Sequence, residues 1–260
     1  MVASLKQNKV ENVEVSNPES STDAQEQDII RNKSGDLAII DEPALYVRQA
    51  YKDFYRFVTN PLPDPRFLIT GTSGVGKSCF LLYLLIQLLC NFDNVTVVYH
   101  PRQGKLCYCF ENSNLKVGET SDFLDRLHSR DTWYLVDSVE PFIVQARTVV
   151  AVSPNSLNND QFQEFSKVVV NKYYMPPWTI EELKACQKHI FTQVPEDLML
   201  DIFDRAGGVP RYVLANPARM IKDHDPSVKA TYDTIVNKSI ERIDEAILEI
   251  KSFEPFTMLY

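Results

Sequence analysis

No stretch of this 260-residue sequence is apolar for long enough to span a bilayer, which takes about 20 residues as a helix. The most apolar run, Cys79 to Cys90, is twelve residues long, follows directly on a glycine-rich segment and reads as a core helix. No apolar run follows Met1-Val-Ala-Ser-Leu-Lys6, which argues against a conventional secretory signal and for a protein made in the cytosol. Basic excess is also missing. With 27 Lys and Arg against 35 Asp and Glu, the formal net charge is −8 and the isoelectric point about 5.1. Bulk electrostatics therefore gives no support to nucleic-acid or anionic-membrane binding, although a local basic groove stays open. The five cysteines (79, 90, 107, 109 and 186) are odd in number and lack zinc-ligand spacing, as expected in a reducing compartment. Cys107 and Cys109 fall on one face of a predicted strand, as half-buried residues. Residues 1–36 contain no aromatic and are rich in Ser, Asn, Gln and Glu, too polar to offset chain entropy. That predicts a disordered tail, which we extend to residue 42.

What the sequence does contain is 44% hydrophobic residues, enough for a sizeable core. At its centre stands Phe67-Leu-Ile-Thr-Gly71-Thr72-Ser73-Gly74-Val75-Gly76-Lys77-Ser78, which fits G-x-x-x-x-G-K-[ST]. A strand before the loop and a helix after it, starting with Ser78 and Cys79, complete the expected context. Glycines admit backbone angles that let successive N–H groups of residues 71–79 turn around an anion. Lys77 reaches the β- and γ-phosphates as a point charge, the Ser78 hydroxyl ligates Mg²⁺, and the positive helix end adds a favourable field. ATP and Mg²⁺ are thus the expected ligands.

Further buried strands are predicted at Val95–Tyr99, Thr132–Asp137 and Thr148–Ser153, with an added strand at Leu106–Phe110 and a last strand at Val169–Met175. A helix is predicted from Leu45 through Val58, a short one over Ser121–His128 and another over Leu157–Val168. The result is a P-loop three-layer α/β/α core with a mostly parallel sheet over residues 43–176. Asp137 ends its strand as a Walker B acid does and can hold Mg²⁺ through water; the alternative is a carboxylate capping the turn before Pro141. Ser138 stands where hydrolytic enzymes usually carry Glu, which leaves Glu140 or Glu111 to orient water. Ser153 and Asn155 are either γ-phosphate sensors or ordinary turn residues. Arg48 and Tyr51 are candidates for contact with the base. From residue 177 to 260 the periodicity is helical: a capping box at Thr179-Ile-Glu-Glu182, a second helix over Pro195–Arg205, Gly207-Gly-Val-Pro210-Arg211, then a long amphipathic helix from Pro226. Arg211 is either a solvated charge or a cation that contacts the γ-phosphate.

Taken together, the loop Phe67 to Leu85, Trp133-Tyr-Leu-Val-Asp137, Tyr174-Met-Pro-Pro-Trp178 and Gly207-Gly-Val-Pro-Arg211-Tyr-Val-Leu214 resemble the NTPase module of Crinkler-type effectors and retrotransposon hot spot proteins. The resemblance runs from about Leu45 to about Ile250. It implies an AAA/STAND-like ATPase whose C-terminal helices form a lid, with Arg211 as the nucleotide sensor. It also implies secretion and action in a host nucleus, which this chain's own residues do not support. The leader and the nuclease-like domain common in that family are not expected here, so DNA cleavage is not carried over.

The function expected is that of an ATP-binding, Mg²⁺-dependent NTPase, slow or active only when assembled, with Lys77, Asp137 and Arg211 as its catalytic set. A homo-oligomer or a protein partner would assemble it. The alternatives are a small-molecule kinase using Arg102 and Arg147, or a nucleotide-locked interaction module without turnover.

Overall fold

The computed structural model describes residues 13–15, 29–32, 44–60, 64–102, 105–154, 160–168, 171–222 and 226–248. The chain divides into two compact units, 1–176 and 177–260, with the division between Pro176 and Pro177.

The first unit is an α/β layer built on seven strands: β4 (Arg66–Thr70), β5 (Thr96–His100), β6 (Leu106–Glu111), β7 (Asn114–Glu119), β8 (Thr132–Asp137), β9 (Arg147–Ala151) and β10 (Asn171–Tyr174). Their order is β10-β4-β9-β8-β5-β6-β7, with the first five parallel and β6 and β7 added antiparallel. The inner parallel strands β4, β9, β8 and β5 read as near-continuous apolar runs because both faces are covered, and all six residues of β8 are buried, whereas the edge strand β10 leaves Lys172 and Tyr174 exposed. The β6–β7 hairpin turns at Asn112-Ser113, both with positive φ (48° and 63°). A two-residue turn of that kind suits the twist of the paired strands. The sequence reading missed β7 because only Leu115 and Val117 mark it as apolar.

Helix α2 (Lys77–Asn91) follows β4, and α4 (Asp160–Val168) follows β9, with the short α3 (Leu124–Leu127) between them in sequence. Each long helix is a crossover between parallel strands, and such crossovers are right-handed. The chain leaves β4 toward β5 and leaves β9 toward β10, in opposite directions along the sheet. Helices α2 and α4 therefore cover opposite faces. Phe162 and Phe165 of α4 pack with Leu68, Val150, Tyr134 and Val136 on one face. That face also takes Cys107 and Cys109, which are fully buried rather than half-buried. Helix α2 is covered almost all round: Phe80 to Ile86 are each at most 6% exposed. Burying each large apolar side chain is worth about 1.5–3 kcal/mol, which anchors the helix and the loop ahead of it.

Helix α1 (Gln49–Thr59) lies on the α2 side, where Phe54 stacks on Tyr173 (ring centroids 4.1 Å apart) and packs on Phe80. It starts later than the sequence pattern suggests. Leu45 and Tyr46 belong to a strand, β3 (Ala44–Tyr46), paired antiparallel with β2 (Ile29–Asn32), which in turn pairs with β1 (Val13–Val15). These short strands fall partly in the stretch expected to be disordered. Ile29 and Ile30 are buried there, supplying the apolar contacts that the surrounding polar composition hides. The rest of residues 1–42 lies outside the described residues, as does Asn155.

The second unit is helical: α5 (Ile180–His189), α6 (Glu196–Ala206), α7 (Asn216–Ile221) and α8 (Lys229–Leu248). The capping box forms as the sequence predicts: Thr179 Oγ1 accepts the Glu182 N–H (3.2 Å) and the Thr179 N–H donates to Glu182 Oε2 (3.0 Å). Between α6 and α7, residues Arg211–Ala215 widen into a π-helical turn. Pro217 accounts for it, since proline has no N–H to give the Val213 carbonyl and its ring would crowd that carbonyl in a regular helix. Tyr232 Oη of α8 donates to Asp201 of α6 at 2.6 Å.

Candidate functional site

The chemistry-bearing residues of the first unit gather at the carboxyl ends of β4, β9 and β8. Ligands of open α/β sheets bind where neighbouring strands send their connections in opposite directions, and β4 and β9 are such a pair. Gly71, Gly74 and Gly76 all have positive φ (145°, 88° and 106°), so the loop cannot be built with ordinary side chains at those positions. A Cβ on Gly71 would also lie 2.9 Å from the Met175 carbonyl oxygen. Val75, fully buried, pins the loop from below, and its N–H closes a turn onto the Thr72 carbonyl. Thr72 and Ser73 are exposed, and Ser78 and Cys79 are half-buried in the first turn of α2.

Lys77 is 8% exposed, and its Nζ donates to the Gly71 and Thr72 carbonyls at 2.6 and 3.0 Å. The ammonium thus arches over the loop that precedes it. From the other side, Tyr51 Oη donates to the Gly76 carbonyl at 2.8 Å, and the buried Arg48 donates to the Pro176 carbonyl at 2.9 Å. These two residues, considered above for base contact, serve here to tie α1 to the loop and to the end of the unit. Sequence reasoning had no signal for either bond, because both acceptors are backbone.

Asp137 ends β8, two strands from β4, level with Ala151 and Ile69 and on the α2 face. It is 4% exposed, and its Oδ1 accepts from Ser138 Oγ at 3.0 Å. Tyr99 of β5 reports its surroundings: burial raises the phenol above its ordinary range, and the nearby Asp137 carboxylate and Cys79 thiol raise it further. Ser153 is half-buried just beyond β9, near the same end of the sheet.

Two other candidates are excluded by the sheet's polarity. Antiparallel pairing sets Glu111 beside the start of β5, at the end opposite Asp137. There Lys116 Nζ (3.1 Å) and Arg126 Nη2 (3.3 Å) bind its Oε2 and hold its carboxyl below the usual range, so it is neither placed nor poised to activate water. Arg147 opens β9 at that same far end, with its guanidinium 4.8 Å from the centre of the Trp133 ring. Glu140 is exposed in the segment after Asp137, and Arg102 is exposed after β5.

In the second unit, Arg211 is exposed at the start of the π turn. Just ahead of it, the Trp178 N–H donates to the Gly208 carbonyl at 2.8 Å. Met175 backs Gly71 within the first unit, and Trp178 backs Gly208 within the second. Among the described residues no group of three or more His, Cys, Asp or Glu is placed to cage a metal, and no helix is long and apolar enough to cross a membrane.

No protein-family model matches the chain. It is similar to Crinkler effector protein 16 of Phytophthora infestans, with 29% identity over 243 residues, covering 85% of this chain and 38% of that protein. It is likewise similar to Crinkler effector protein 15 of the same organism, with 28% identity over 244 residues and the same coverage. The chain thus spans 38% of the length of these curated relatives.

Proposed function

We propose that the first unit binds ATP with Mg²⁺ and works as a slow or assembly-dependent P-loop NTPase, a nucleotide switch within a Crinkler-type effector context. The observation that carries this reading is the three-glycine loop at the β4–β9 switch point, arched over by Lys77 and facing the same end of the sheet as Asp137. The residues present fit the ligand. A cationic Nζ resting on loop carbonyls can move to phosphate oxygens, and the N-terminal N–H groups of α2 favour an anion. Ser138 Oγ occupies only Oδ1 of Asp137, so Oδ2 would be the oxygen to accept from a metal-bound water, with the Ser78 hydroxyl as the metal's other proposed protein partner. Magnesium, when bound, neutralises charge on the phosphates. On the Gly-Gly-x-Pro-Arg pattern alone, Arg211 is the proposed reporter of the terminal phosphate, with the helical unit as its lid.

The kinase alternative loses Arg147 to the far end of the sheet. The non-hydrolysing module keeps one specific support, the serine following Asp137 in place of a glutamate. Incubation of the purified protein with ATP and Mg²⁺, without any acceptor, separates the readings. Slow phosphate release, roughly a turnover per minute or less against the common enzyme range of 1–10³ per second, is the expected result. Intact ATP retained for hours would instead establish the locked module.

A further inference from the structure

Among the described residues, three that are not glycine have φ in the left-handed region: Asn112, Ser113 and Ser138. The first two make the β6–β7 turn, where that conformation is required. Ser138, with φ 58°, has no such excuse. In a strand continued regularly past Asp137, residue 138 would face the opposite side of the sheet. The left-handed kink brings its side chain back, so that Oγ donates to Asp137 Oδ1 at 3.0 Å, with the Ala151 carbonyl 3.4 Å away. The kink is held by the Ser138 N–H, which donates to the Ala151 carbonyl at 2.8 Å. Glycine would adopt this backbone without strain, yet a residue with a hydroxyl stands here.

We propose that Ser138 is a positioning residue: it pins Oδ1 of Asp137 and presents Oδ2 toward the metal side of the site. This rests on the ATP–Mg²⁺ reading given above. A hydroxyl has one proton to give, and its donation to Oδ1 fixes the carboxylate plane. Outer partners such as Asp137, which hold a metal's bound water, change metal affinity about 10–100-fold when removed, and loss of the hydroxyl that orients Asp137 is expected at the lower end of that range.

The test is calorimetric titration with ATP over a series of Mg²⁺ concentrations, together with thermal unfolding in the absence of nucleotide. Ser138→Gly and Ser138→Ala are expected to raise the Mg²⁺ concentration for half-maximal effect roughly tenfold. Ser138→Gly is also expected to unfold at a higher temperature than wild type, because it relieves the left-handed strain. A residue that merely supports the fold would move metal dependence and stability in the same direction. Ser138→Asn, which tolerates left-handed φ and carries an N–H donor, is expected to restore most of the Mg²⁺ response. Wild-type Mg²⁺ dependence in both the Gly and Ala variants would overturn the proposal and leave the nucleotide reading standing. Absence of ATP binding by the wild type would overturn both.

Discussion

Lys77→Ala is expected to weaken ATP binding at least a hundredfold in a calorimetric titration. Nζ is now held by two loop carbonyls, Gly71 and Thr72, and is shielded from solvent on most sides. A charged hydrogen bond to a phosphate is worth about 1.5–3 kcal/mol when it replaces water. Losing the charge also removes the only lysine of the loop, and a change of about 2.8 kcal/mol corresponds to a hundredfold. Lys77→Gln serves as a control for the loop itself, since its amide can still donate toward the same carbonyls while carrying no charge. If the Gln variant bound ATP as tightly as wild type, the ammonium would have no part in binding phosphate.

Gly208→Ala is expected to destabilise the second unit by about 3 kcal/mol or more, read as a lower urea midpoint. A Cβ at that position would overlap the Trp178 carbonyl oxygen and lie 2.7 Å from its nitrogen. Both are backbone atoms, so neither can rotate away, and the Trp178 N–H to Gly208 carbonyl bond must open to make room. Gly207→Ala provides the comparison. That residue has φ 64° and ψ −163°, a region reserved for glycine, but nothing lies within 4 Å of the added carbon. Its cost should be strain alone, about 1–3 kcal/mol. Equal midpoints for Gly208→Ala and wild type would mean that the Trp178 contact yields freely.

The glycine-rich turn between β4 and α2, those two elements and β8 were legible in the sequence because each carries a long one-sided signal. Three spaced glycines announce a tight turn of positive φ, and runs such as Thr132–Val136 are too apolar for anything but a doubly covered strand. The capping box at Thr179 and Glu182 was legible for the same local reason. What escaped depended on partners distant in sequence. Leu45 and Tyr46 fit a helical spacing as well as a strand, and only pairing with Ile29 and Ile30 decides for the strand. Glu111 could be weighed as the residue that orients water only while the direction of β6 was unknown; antiparallel pairing carries it to the wrong end. Arg147 fails likewise, since it begins a strand whose other end faces the site. The backbone twist at Ser138 leaves no trace in composition or period. It is visible only as a left-handed φ tied to the Ala151 carbonyl of the neighbouring strand.

The central claim is that Gly71 to Ser78 and Asp137 form one site for a nucleotide and its metal. Calorimetric titration of ATP, with Mg²⁺ and with chelator, into wild type and Asp137→Asn tests it most directly. ATP is expected to bind wild type in both conditions and tighter with Mg²⁺, while Asp137→Asn binds in both and loses most of the Mg²⁺ enhancement, roughly tenfold or more. Wild-type protein that takes up no ATP, or an Asp137→Asn variant with the full enhancement, would contradict it.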